Sequence, residues 1–228
     1  MEKVRKILVH QSKVQVSRAQ IYLRASFCPI KYLSHSEADS LPPDTLNRGV
    51  DVGVAVLLQS ANQRLLLTRR ASSLRIFSMF GFHRGHVELD EKLLDAGLRE
   101  LKEETGLKLS PDEISSQLLG LWESVYPHLL SSGIPKRHHI VTYIILRSSQ
   151  SHFQLLTCLR TDPAEVSACV WVYTVRRIVQ IPADLVTEVS PHGELIETLL
   201  EDIERISTET KFALELWLIT LEPHSEMG

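Results

Sequence analysis

Cysteine is scarce: Cys28, Cys158 and Cys169 are the three in 228 residues, far apart and in no C-x-x-C arrangement. That excludes a disulfide scaffold and a cysteine-built zinc site, and Cys158 and Cys169 read as small core residues rather than nucleophiles. No apolar run approaches the ~20 residues a membrane helix needs. The longest, Val52 to Leu58 and Ile140 to Leu146, have strand length. The start of the chain lacks the apolar stretch of a secretory signal, so no export is expected and the default compartment is cytoplasmic. Charge of one sign is missing too. The chain carries 25 basic against 28 acidic residues, a net -3, so it is no polyelectrolyte binder of nucleic acid, although a local basic groove is compatible. Hydrophobic residues at 43% and charged residues at 23% are ordinary globular usage and exclude a mostly disordered chain. One local imbalance stands out: Lys3, Arg5, Lys6, Lys13, Arg18 and Arg24 face only Glu2 among the early acids. It reads as a solvated first strand or, alternatively, as a mitochondrial presequence.

The length suits one catalytic domain with a modest extension. Residues 1–24 alternate raggedly (Val4, Ile7, Val9; Val14, Val16; Ile21, Leu23), the pattern of short strands, and the polar stretch 34–48 with Pro42-Pro43 reads as a linker. A β-rich extension over 1–45 is therefore expected before a main domain at 46–180. In that domain Val52 to Leu58 forms a buried strand, Ala61-Asn62-Gln63 a turn, and Arg64 to Arg70 the hairpin partner. Leu93, Leu94, Leu98 and Leu101 recur at helical spacing, which predicts a helix over 91–105 stopped by Gly106 at C′. Strand candidates follow at Leu118 to Val125, Ile140 to Leu146 and Val166 to Tyr173. After Pro182 the pattern turns helical. Ser190-Pro191 offers a cap, Leu195, Ile196, Leu199, Leu200, Ile203 and Ile206 share one helix face, and a last amphipathic helix runs from about Thr210 to Leu221. Residues 181–228 are thus expected to be a helical segment packed on the main domain.

The chemistry is concentrated in residues 85–107. Glu100, Glu103 and Glu104 lie at i, i+3 and i+4, so their carboxylates share one helix face. Like charges at that spacing cost an isolated helix ~0.2–0.5 kcal/mol per pair. The helix gains nothing from them unless a cation sits over the face, and hard divalent ions take such oxygen ligands together with substrate phosphates. Arg99, on an adjacent face, is placed to pair with Glu91 or with a catalytic carboxylate. A solvated acidic helix is the plain alternative for E-x-x-E-E taken alone.

The surroundings decide between the two. Gly85, Glu91, Arg99-Glu100-Leu101, Glu103-Glu104 and Gly106-Leu107 fill every fixed position of G-x5-E-x7-R-E-U-x-E-E-x-G-U, with U aliphatic. A chance match in a chain of this length is below about one in a million at average residue usage. The sequence resembles the Nudix hydrolases over roughly residues 49–180, and Glu88 also matches an acidic position frequent in that family. The resemblance implies an α/β fold, an α/β/α sandwich with a mixed sheet. It also implies hydrolysis of a nucleoside diphosphate linked to another moiety, with Mg²⁺ or Mn²⁺. By position, Glu100 and Glu104 resemble the principal metal ligands, Glu103 a third ligand or the residue that orients the attacking water, and the Gly85 carbonyl a completing ligand. Glu165, six residues before Trp171 and ahead of a predicted strand, resembles a family glutamate with a catalytic or metal role; a plain loop carboxylate is the other reading.

The chain departs from the family in one place. Phe82-His83-Arg84-Gly85 stands where Pro-Gly-Gly usually leads into the motif. Arg84 is expected either to contact phosphate or to crowd the metal site and impair turnover. Lys136, Arg137, His138 and His139 form a basic cluster before a strand, a phosphate contact or a solvated turn. Arg48 to Val56, Leu66 to Arg70, Gly120 to Ser124, His138 to Val141 and Thr210 to Leu214 resemble the branch of the family that hydrolyses the N7-methylguanosine cap of messenger RNA. That branch implies a nucleotide or capped-RNA substrate, whose recognition needs an aromatic platform and a carboxylate on the guanine edge. Trp122, Tyr126, Tyr143 and Trp171 are the candidate platforms. Leu66, Leu67, Thr68, Arg70, Ala71 and Arg75 also fit half of a coenzyme A diphosphatase signature, and a non-catalytic nucleotide- or RNA-binding domain is a third reading. No membrane association and no stable protein partner follow from the sequence.

Overall fold

The computed structural model describes residues 22–24, 34–40, 50–71, 80–127, 130–133, 137–175, 178–180, 186–189, 195–198 and 206–221. The expected strands before residue 22, the basic residues Lys3 to Arg18, Cys28, Arg75, Lys136, the cap at Ser190-Pro191, and Leu199, Leu200 and Ile203 lie outside these residues. The described elements are β1 (Tyr22–Arg24), α1 (His35–Asp39), β2 (Asp51–Gln59), β3 (Leu65–Arg70), β4 (Phe80–Gly81), β5 (His83–His86), α2 (Leu93–Thr105), β6 (Ile114–Tyr126), β7 (Arg137–Ser148), α3 (His152–Cys158), β8 (Val166–Val175), β9 (Ile178–Gln180), β10 (Val186–Val189), β11 (Leu195–Thr198) and α4 (Thr208–Thr220).

The strands form one mixed sheet ordered β1-β6-β7-β2-β3-β8-β10-β11, with β4 on β3, β5 on β2 and β9 on β8. At its centre β2 runs parallel to β7, from Asp51 opposite His139 to Gln59 opposite Arg147. Side chains of a strand alternate between faces, and β2 uses both. Val54, Val56 and Leu58 pack with Ala96 and Leu101 of α2. Ala55 and Leu57 pack with Phe212, Ala213, Leu216 and Trp217 of α4. The result is an α/β/α sandwich, and strands buried on both faces explain the unbroken apolar runs in the sequence.

α2 forms where the leucine spacing predicts it and ends at Gly106, whose φ of 73° and N–H to the Lys102 carbonyl make the left-handed cap. Gly97 costs this helix ~1 kcal/mol in propensity. A Cβ there would lie 2.8 Å from Val56 Cγ2, so its absence lets α2 seat on the sheet.

Three expectations are corrected. Residues 186–189 and 195–198 form the antiparallel pair β10–β11, with Val189 opposite Leu195, rather than helix; of the described C-terminal residues, only α4 is helical as expected. Within the expected linker, 35–39 is a short helix. Cys169 is buried, but Cys158 is exposed at the end of α3 and is no core residue. No helix among the described residues is long and apolar enough to cross a membrane.

Candidate active site

β5 pairs with β2 so that Val54 lies opposite Gly85, Ala55 opposite Arg84 and Val56 opposite His83. Directly opposed residues of an antiparallel pair share a face. His83 and Gly85 therefore face α2, and Arg84 faces α4. Against this strand α2 lays its acidic face. A Cβ on Gly85 would fall 1.8 Å from both Cδ and Oε1 of Glu100, so this position has to be glycine for the carboxylate to sit where it does. One helical turn on, the buried Glu104 meets the ring of His83, with Nδ1 2.7 Å from Oε2.

Arg99 organises the remaining carboxylates. Its Nε and Nη2 donate to the two oxygens of Glu91 at 2.9 and 3.0 Å. Nη1 donates to Glu100 Oε1 at 2.6 Å and to Glu103 Oε2 at 3.2 Å, and Nη2 also reaches the His86 carbonyl at 2.9 Å. The Arg99 guanidinium holds the Glu91 carboxyl below its usual range. Glu100 moves the other way: burial raises its pKa, and the nearby Glu103 and Glu104 add to the rise, against the pull of Arg99. Burial, then Glu104 and Asp162, raises Glu165 as well. Burial and Glu104 push the Cys169 thiol up to about 12, so it is inert at neutral pH.

These groups open on a cleft of about 1010 Å³ whose walls include Glu100, Glu104, Glu165, Arg70, Arg84 and Arg137. Arg99, Gly85, His139, Tyr126 and Glu209 line it too. Among the described residues no three acidic, histidine or cysteine side chains are already gathered as a closed cage. The donor chemistry nevertheless suits a hard divalent cation. The hydrogen bonds engage Glu100 Oε1, Glu103 Oε2 and Glu104 Oε2, and among the described residues the other oxygen of each carboxylate takes no hydrogen bond. Burial, with Glu103 and Glu104, disfavours the charged form of Glu100, and a bound cation would favour it.

The structure thus brings Glu100, Glu104, Arg99, Glu165, Arg84 and Arg137 to one cleft. Glu103, 54% exposed at its side chain, stays at the rim on Arg99. Arg84 is corrected in one respect: its side chain turns to Glu209 in the first turn of α4, away from the Glu100–Glu104 face, so it does not crowd them. His138 Nε2 pairs with Oε1 of the buried Glu123 at 2.6 Å and is no free phosphate ligand, and Arg137, His138 and His139 lie inside β7 rather than before it.

Trp122 is also corrected. It is 6% exposed, with its ring centroid 5.2 Å from that of Phe212, and belongs to the core under α4. Tyr143 and Trp171 are buried likewise. Tyr126, 62% exposed, is the one of the four candidate aromatics that is both exposed and at the cleft. The pairing roles of two residues, His83 and Glu209, were not evident in the sequence. His83 was recoverable from strand alternation, since it lies two residues from a glycine that must face the helix. Glu209 carried no signal, because it meets Arg84 across 125 residues of chain.

A family profile described as NUDIX domain matches residues 49–184. The m7GpppN-mRNA hydrolase NUDT17 of Danio rerio is 66% identical over 90% of this chain and 79% of its own length. The proteins of the same name from Xenopus laevis and Homo sapiens are 50% and 42% identical, each over 86% of this chain and over 74% and 69% of their own lengths. Among solved structures, a MutT/nudix family protein from Enterococcus faecalis is similar with a TM-score of 0.48 at 14% identity, covering 82% of this chain and 69% of that one. A MutT NUDIX hydrolase from Burkholderia pseudomallei has a TM-score of 0.45 at 19% identity, covering 73% of this chain and 96% of that one.

Proposed function

This chain belongs to the Nudix hydrolase family, and from that membership we propose that it hydrolyses the N7-methylguanosine cap of messenger RNA at a phosphoanhydride bond. The observation that carries the reading is the shared cleft, whose walls include Glu100 and Glu104 of the signature helix together with Arg70, Arg84 and Arg137. Its volume of about 1010 Å³ is at the upper end of small-molecule sites and suits an extended dinucleotide.

Nudix hydrolases use divalent metal ions, and here Glu100 and Glu104 would hold Mg²⁺ or Mn²⁺, with Glu103 as a third ligand or as the group that orients water. When bound, the cation neutralises phosphate charge and lowers the pKa of the attacking water. The chain's own residues do the rest, mainly by positioning and electrostatics. Arg99 ties Glu91, Glu100 and Glu103 into one rigid array. Arg84 and Arg137 offer guanidinium groups to the phosphates. Glu165, with its raised pKa, accepts the proton as the water oxygen bonds to phosphorus, while the anhydride P–O bond breaks and the leaving phosphate departs. Tyr126 offers its ring face to the methylated base, whose positive charge favours an aromatic partner.

The test is turnover by the full chain of cap-labelled RNA and of coenzyme A, each in Mg²⁺ and in Mn²⁺. Cation-dependent release of a methylated guanine nucleotide, lost in Glu104→Gln, supports the proposal. Cleavage of coenzyme A alone moves the reading to a coenzyme A diphosphatase. Binding of capped RNA without turnover makes the chain a binding domain.

A further inference from the structure

His83 occupies the place where the family pattern has proline, and its side chain does something proline cannot. It is fully buried on the α2 face of the sheet, with Nδ1 2.7 Å from Glu104 Oε2. Arg99 bonds Glu91, Glu100 and Glu103 but not Glu104, so the imidazole is the polar partner of the most deeply buried carboxylate of the array. A buried carboxylate without a hydrogen bond is costly. In this pair Nδ1–H donates to the carboxylate Oε2, the arrangement by which a histidine orients a ligating carboxylate. Nε2 is buried with no hydrogen-bond partner among the described residues. An unsatisfied buried nitrogen is costly, and an apolar side chain at this position would avoid that cost. The contact that offsets that cost is the one to Glu104.

We infer that His83 is a positioning residue for the cation site: its Nδ1–H fixes the rotamer of Glu104 so that Oε1 is presented to the cleft. The inference rests on the assignment of Glu104 as a ligand. Partners of this kind orient metal ligands, and their loss typically costs 10–100-fold in metal affinity.

The experiment is Mn²⁺ titration of the full chain, read by the electron paramagnetic resonance signal of the free ion, so that it does not depend on activity. The variants are His83→Leu, His83→Gln, His83→Asn and Glu104→Gln. Asn places its amide nitrogen where His has Nδ1, whereas Gln places its own nearer Nε2. The expected result is Mn²⁺ affinity about 10–100-fold weaker in His83→Leu and His83→Gln, and largely restored in His83→Asn. At saturating Mn²⁺ the kcat of the weakened variants recovers. Wild-type affinity in folded His83→Leu overturns the inference, and so does equal weakening in all three His83 variants, which marks a merely structural role. If His83→Leu does not fold, the Asn–Gln pair decides by itself. Wild-type affinity in Glu104→Gln overturns the ligand assignment instead, whatever the His83 variants do.

Discussion

Replacing Gly85 with alanine probes the closest approach in the site. The new Cβ would stand 1.8 Å from Glu100 Cδ and Oε1 and 2.1 Å from Oε2. Ordinary contact begins at 3.4 Å, so the carboxylate must retreat by about 1.6 Å, and it is the far end of a flexible side chain. The backbone is not strained, because Gly85 does not have a positive φ. Stability should therefore fall by less than the ~1–3 kcal/mol typical of overpacking. Function should suffer more. Displacements of about 1 Å in a catalytic array cost on the order of 100-fold, which corresponds to ~2.7 kcal/mol of barrier. The retreat also breaks the 2.6 Å bond from Arg99 Nη1. The expected outcome is kcat/KM on the cleaved substrate lower by 100-fold or more, Mn²⁺ binding weakened, and a melting temperature within a few degrees of wild type. A Gly85→Ala variant with wild-type kcat/KM and wild-type Mn²⁺ affinity would show that Glu100 does not work from this position.

Glu100→Gln should abolish turnover yet stabilise the cation-free protein. A carboxyl with a raised native pKa contributes its full stability below the unfolded value near ~4.3 and loses it as pH rises through the native pKa. In chelator, calorimetry should therefore show the variant gaining on wild type as pH rises from about 4 to neutrality; a pH-independent loss refutes the charge reading. Added Mn²⁺ should stabilise wild type by ~2.7 kcal/mol at a hundredfold excess over its dissociation constant, and Glu100→Gln by much less. Because Arg84 faces Glu209 rather than Glu100, Arg84→Gly should give no increase in kcat. A rise in KM of about tenfold (~1.4 kcal/mol) is expected, with little effect on stability because the pair is half-exposed; a rise in turnover refutes it. Tyr126→Ala should weaken capped-RNA binding by ~1–3 kcal/mol with Tyr126→Phe near wild type, whereas Trp122→Ala should destabilise the fold by ~3–5 kcal/mol. Equal behaviour of the two alanine variants in binding and melting assays would refute that division.

Much of this protein was legible in the chain because the relevant forces act locally. The leucine spacing of α2, the stop at Gly106 and the i, i+3, i+4 set of Glu100, Glu103 and Glu104 follow from helix periodicity within one short segment. The fixed spacing from Gly85 to Leu107 identified the family, and the apolar runs of β2 and β7 marked strands buried on both faces. Other features depended on partners far away in sequence. Leu195 and Ile196 suit a helix face as well as a strand, and pairing with β10 chose the strand. Trp122, Tyr143 and Trp171 are indistinguishable from Tyr126 as aromatic residues near strands; the packing of α4 and α2 on the sheet buried three of them and left Tyr126 at the cleft. Register with Val56 and Ala55 turned His83 toward Glu104 and Arg84 toward Glu209. Helix periodicity is written into neighbouring residues, whereas the face of a strand that meets a given helix is set by hydrogen-bonded register and layer packing, which exist only once the chain has folded.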